Sequence, residues 1–193
     1  MLSANASFAL AAALRSPHGA PLGEVFSFIS GLYFRGKLTY ARRFAQPPDP
    51  TAPAVGAGVH IITPNAGLRS PDTAITDAAV RAFAQQDVAV DNAAYRRPLE
   101  TSATALREAI GADCDVVLLG SIASPKYVDV LGAIFGERLQ FPIAFVGRGD
   151  MSRGGLLLRH AEDETELEYV PVTGTTRHGA RPPRLPPLKR SHS

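Results

Sequence analysis

Apolar residues recur along this chain in two rhythms, as short unbroken runs and as positions three and four apart, and their alternation predicts the elements. The run "CDVVLLGS" at 114–121 is apolar on both faces, the pattern of a central strand covered above and below in a parallel sheet. "VHIITP" at 59–64 and "FPIAFVG" at 141–147 read as further strands, and Val88–Val90 as a minor one. Helical spacing is clearest over Pro98–Ile110, where Leu99, Ala103, Leu106 and Ile110 share a face, Pro98 suits the first position and Gly111 follows as a stop. Other helices are expected near Thr73–Gln86, from Ser124-Pro125 to about Gly136, and from Ser27 or Ser30 through "GLYFRGKLTYARRFA", with Phe34, Leu38, Ala41 and Ala45 on one side.

Around Ala6–Leu14 an extended stretch is expected. "SPHGAPLGEVF" at 16–26 is punctuated as a loop, and "QPPDPTAPAVGAG" at 46–58 is a linker with almost nothing to bury. "GGLLLRH" and "LEYVPV", joined by the acidic turn "AEDETE", form an antiparallel hairpin at a sheet edge. The sum is an α/β fold: a Rossmann-like, mostly parallel sheet with helices on both faces and a C-terminal antiparallel edge hairpin. Residues 1–176 make a single domain and 177–193 a basic, proline-rich disordered tail, a length that suits one sizeable core.

Charge sharpens that division. The net +2 hides five basic residues after Glu168, namely Arg177, Arg181, Arg184, Lys189 and Arg190, with no acid among them. Residues 1–176 therefore hold 15 basic against 18 acidic side chains, a net −3, so the high pI belongs to the tail and nucleic-acid binding is not favoured. A lone cysteine, Cys114, fits a reducing compartment. The start has no basic signal region and no run is long enough to span a bilayer, so a cytoplasmic protein without a membrane partner is expected.

Chemistry is expected outside the carboxyl ends of the strands, at loops 63–72, 120–127 and 147–155. In "GSIASPKY", Gly120 admits close approach, Ser121 and Ser124 offer hydroxyls, and Lys126 lies at a helix start that attracts anions. In "GRGDMSRGG", Arg148 and Arg153 supply guanidinium forks, Ser152 a hydroxyl, and Asp150 the candidate catalytic carboxylate, as general base or nucleophile. Alternatively, Asp150 only pairs with Arg148 or Arg153 and pins the loop. A Ser121–His18–Asp150 triad can be written down but lacks a nucleophile elbow. The stretch mixing Arg35, Lys37, Arg42 and Arg43 with Tyr33, Phe34, Tyr40 and Phe44 reads as a helix with buried rings and a solvated basic face. The scattered histidines indicate no metal site, no "GxGxxG" is present, and no cofactor is indicated.

Two functions follow. One is binding and turnover of a small anionic ligand, a nucleotide, nucleoside or sugar phosphate, with transferase or hydrolase chemistry if the protein is an enzyme. The other is a non-catalytic interaction module whose tail, "RPPRLPPLKR", binds a protein partner as a polyproline II segment. A homodimer is compatible with either.

Overall fold

The computed structural model describes residues 1–3, 6–122, 125–176, 179–180, 182–183 and 185. Helices dominate it. The chain opens with α1 (Ala9–Arg15), where an extended stretch was expected; "ALAAALR" is nearly all strong helix formers, and that propensity prevails. A two-residue strand β1 (Ala20–Pro21) leads into α2 (Leu22–Phe44), which starts before Ser27 because Leu22, Gly23 and Val25 are already buried. Gly31 breaks α2 with φ +67°, a conformation glycine adopts without steric cost.

Next come β2 (Ile61–Thr63), β3 (Gly67–Arg69), β4 (Ala74–Ile75), α3 (Asp77–Gln85) and α4 (Ala93–Ile110). The α4 start is fixed by Asn92, whose side chain accepts from the Ala94 amide at 3.0 Å, so Pro98 lies inside the helix instead of opening it. Leu99, Ala103, Leu106 and Ile110 are all buried, as their spacing predicts. The remaining elements are β5 (Val116–Val117), α5 (Pro125–Phe135), β6 (Leu139–Pro142), α6 (Asp150–Glu162) and β7 (Tyr169–Pro171).

The large parallel Rossmann-like sheet does not form. Among the described residues three small sheets replace it: β1 with β4, β2 with β3, and the order β5-β6-β7, of which only β5 and β6 run parallel. "VHIITP" turns back on itself, with Thr63 Oγ1 donating to the Gly67 carbonyl at 2.8 Å. "CDVVLLGS" gives an edge strand of two residues, with Leu118 buried but Val116, Val117 and Leu119 only half-buried. "GGLLLRH" is absorbed into α6, so the expected hairpin is absent and β7 pairs with β6 instead. No strand forms at Val88–Val90. The physical reason is common to all: a short apolar run is buried equally well by a strand, a helix or a packed loop. What remains of the expectation is one parallel unit, β5–α5–β6, with α5 spanning the predicted range.

Among the described residues, apolar side chains gather in three clusters. The largest joins α4, α5 and β6 and includes Val55 from the proline-rich linker, which is 1% exposed and so does bury a residue. A second joins α1, α2, β2 and α3 through Leu14, Leu22, Val25, Ile61 and Val80. The third holds Tyr40, Phe145, Leu156, Leu157 and Leu167 between α2 and α6.

These two helices run side by side in the same direction, with Gly36 against Gly154 and Arg43 paired to Glu164 just past the end of α6. A Cβ on Gly36 would stand 2.6 Å from the Gly154 carbonyl oxygen, and one on Gly154 would stand 2.8 Å from the Tyr33 Cα. Backbone therefore meets backbone at this seam.

Candidate functional site: the head of α6

After β6 the chain makes one tight turn, Ile143–Phe145, and reverses at Gly147, whose φ is +72°. Where a Cβ on Gly147 would lie, the Ala180 carbonyl of the tail is packed. Most of the predicted loop 147–155 is helix: α6 begins at Asp150, with Gly149 as a cap that has no side chain to offer the first amides. The partial positive charge of that helix end is thus left to whatever lies beside it.

A groove of about 400 Å³ lies there. Leu32 of α2, Met151 and Gly155 give it apolar surface, Arg148, Ser152 and Arg159 give it polar groups, and Pro182, Pro183 and Leu185 of the tail form a wall. Arg148 is held in place: its Nε donates to the Ala144 carbonyl at 3.0 Å and its Nη1 to Ser152 Oγ at 3.3 Å and the Pro183 carbonyl at 3.4 Å. Nη2 makes no hydrogen bond among the described residues and keeps its donors for another acceptor.

Asp150 and Arg153 are outside the lining of this groove. Arg153 is 9% exposed, donates from Nε and Nη2 to the Phe145 carbonyl at 3.3 and 3.1 Å, and stands over the Phe145 ring. Its Nη1 is 3.6 Å from Asp150 Oδ1, while the Asp150 side chain is 69% exposed. Beside this pair, Tyr33 donates to the Leu119 carbonyl at 3.1 Å; burial pushes its phenol up to about 12, with Arg153 opposing. Lys37 Nζ lies 4.4 Å from the Tyr33 ring centre and 5.4 Å from that of Phe34. Burial pulls Lys37 below the ordinary lysine range, and the Asp150 carboxylate counteracts this while Arg153 adds to it.

The other predicted residues occupy a third place. Gly120 and Ser121 are half-buried, with Gly120 against Leu118 and near Tyr127. Lys126 Nζ sits 5.1 Å from the Tyr127 ring centre, and its carbonyl accepts from Tyr95 Oη at 2.9 Å. Ser124 lies outside the described residues. None of Gly120, Ser121 and Lys126 lines the groove. Tyr33 is the link between the two regions, through Leu119 on one side and Arg153 on the other. The third expected loop, 63–72, contains β3 and is tied to α4 by the Leu68 amide donating to Ser102 Oγ at 2.8 Å.

Sequence reasoning singled out Arg148 and Ser152 but missed Leu32, Arg159, Tyr33 and Lys37 as neighbours of this region. The i,i+4 pairing of Tyr33 with Lys37 inside α2 was a usable signal. Their facing partner was not, because only tertiary packing sets α6 against that face. Compared with protein families, curated proteins and solved structures, the chain matches none.

Proposed function

We propose that the protein binds a small phosphate-bearing or carboxylate-bearing metabolite in the groove at the head of α6. The observation that supports this is the coincidence of a cavity of ligand size with an uncapped helix N-terminus and an anchored guanidinium. Arg148 takes the anion through Nη2, Ser152 adds a hydroxyl, and Leu32 and Met151 receive the apolar part of the ligand. For turnover, Asp150 is the nearest carboxylate in sequence, one residue beyond Gly149, and its exposed side chain stands in the first turn of the same helix.

Calorimetric titration with inorganic phosphate, ribose 5-phosphate and adenosine monophosphate tests the reading. Saturable binding by at least one is expected, weakened by about 1.5–3 kcal/mol in Arg148→Ala because a charge-assisted hydrogen bond is lost. Absence of binding by all three would end this proposal.

The tail supports a second reading. Leu185 packs on the Tyr40–Phe145–Leu157 cluster and Pro183 accepts from Arg148, so this segment competes for the same guanidinium that an anion would use. Truncation after Thr176, which removes the Pro182, Pro183 and Leu185 wall together with the Pro183 acceptor, separates the two: a changed anion affinity favours the groove as the site, and loss of binding to a protein partner with unchanged anion affinity favours the tail.

A further inference from the structure

We propose that the surface around Gly147 and Arg148 is a reader of proline-rich segments, occupied in cis by the chain's own tail and open to a proline-rich segment of another protein when that tail is displaced. The described tail residues Gly179, Ala180, Pro182, Pro183 and Leu185 form neither helix nor strand, yet tail and body are shaped to each other. A Cβ on Gly147 would meet the Ala180 carbonyl and stand 3.0 Å from Pro182 Cδ, so this turn must lack a side chain for the tail to lie against it. The tail answers in kind, since a Cβ on Gly179 would stand 2.8 Å from Val146 Cγ1. Arg148 Nη1 donates to the Pro183 carbonyl at 3.4 Å, and Leu185 is half-buried against the cluster that holds Tyr40, Phe145 and Leu157.

That combination is the chemistry by which proline-rich chains are recognised. Proline has no amide hydrogen, and an extended proline-rich backbone makes no hydrogen bonds within itself, so its prolines offer a partner only their carbonyls. A guanidinium aimed at one such carbonyl, with an aromatic-lined hollow for one aliphatic side chain, supplies affinity and register together. The fixed backbone angle of proline lowers the entropy lost on docking. Because the tail follows closely on β7 (Tyr169–Pro171), its local concentration at the site is high, and a segment offered in trans must compete with it. The tail takes Arg148 Nη1 where the anion reading takes Nη2, so this inference does not rest on anion binding.

The test uses a fluorescein-labelled peptide of residues 179–187, GARPPRLPP, read by anisotropy against the full-length protein. A cis segment that holds its site about nine-tenths of the time lowers the apparent affinity of a competitor about tenfold. Leu185→Ser, which loosens the cis contact, is therefore expected to bind the peptide at least about tenfold more tightly than the wild-type chain does. A peptide carrying the same Leu185→Ser change is expected to bind at least about tenfold more weakly, because its aliphatic anchor is gone. Equal affinity for both proteins would overturn the proposal, and so would equal affinity of both peptides, which would reduce the contact to charge attraction. The chain has no tryptophan, so Leu185→Trp adds a single reporter without loosening the tail. Its emission is expected to be that of a half-buried indole and to move to longer wavelength when excess unlabelled peptide displaces the tail. Emission of a fully exposed indole from the outset, or no movement with the peptide, would equally overturn it. Sedimentation velocity of the wild-type chain covers the other occupant: a dimer that the peptide fails to disperse would assign this surface to a second copy and overturn the reading.

Discussion

Tyr40 shows how much one hydroxyl can organise. It accepts from the buried Leu167 amide at 2.8 Å and lies 2.6 Å from Tyr169 Oη, which in turn donates to Glu166 Oε1 at 2.9 Å. Since Tyr169 gives its proton to Glu166, Tyr40 must give its own to Tyr169, and the whole chain has one proton direction. Tyr40→Phe keeps the ring but leaves the Leu167 amide without a partner. The expected cost is about 1–3 kcal/mol, read as a lower denaturant midpoint at unchanged slope. Such residues are illegible beforehand, because their partners lie more than a hundred positions away. Arg148 and Ser152 were legible as candidates because charge and hydroxyl chemistry travel with the residue type. Arg153 carries the same charge yet is turned inward to the Phe145 carbonyl, and only the helical phase of α6 decides that.

At the scale of elements, the α2–α6 seam is the feature on which the groove depends, since both helices line it. Gly154→Ala should destabilise, although alanine favours helix by about 1 kcal/mol, because its Cβ would meet α2 backbone and overpacking costs roughly 1–3 kcal/mol. Gly155→Ala is the matched control: among the described residues nothing beyond its own helix turn lies within 4 Å of its Cβ, so it should be neutral or stabilising by up to about 1 kcal/mol. Urea titration of both variants checks the pair, and equal shifts would mean that the seam is not close-packed. The same glycines explain why 147–155 reads as a loop. Gly147, Gly149, Gly154 and Gly155 signal turns by composition, whereas two of them, Gly154 and Gly155, sit within the helix and Gly154 is there to admit another helix. By contrast α5 was legible almost to the residue, and α4 in its buried face and its C-terminal end though not in its start, which lies five residues before Pro98, since each carries its own apolar spacing and needs no distant partner to be recognised. Strands failed for the opposite reason: pairing, which the sequence does not display, decided their length and direction.

Across the whole molecule, burial of phenols links stability to alkaline pH. Tyr33, Tyr40, Tyr95 and Tyr169 all have pKa values raised above the ordinary tyrosine value, chiefly by desolvation. A raised folded-state pKa means that the native chain holds protons the unfolded chain releases. The associated stability is fully present below about pH 10 and is lost as pH rises through the folded values, near 12 for Tyr33. Spectrophotometric titration should therefore show phenolate from these four appearing together with loss of helical circular dichroism. Ionisation at the ordinary tyrosine pH with the fold intact would contradict this.

The glycine seam also bears on the order in which the protein assembles. A helix of 13 residues is marginal in water by itself, and α6 carries Gly154 and Gly155 in its interior, each about 1 kcal/mol worse than alanine. Alone, this segment has little reason to be helical. It acquires that reason from α2 packed against it, so α6 is expected to form only together with α2 and to fray where that packing ends. The head of α6, with the groove beside it, is therefore expected to open more readily than the body of α4, and amide exchange there should run ahead of exchange in α4.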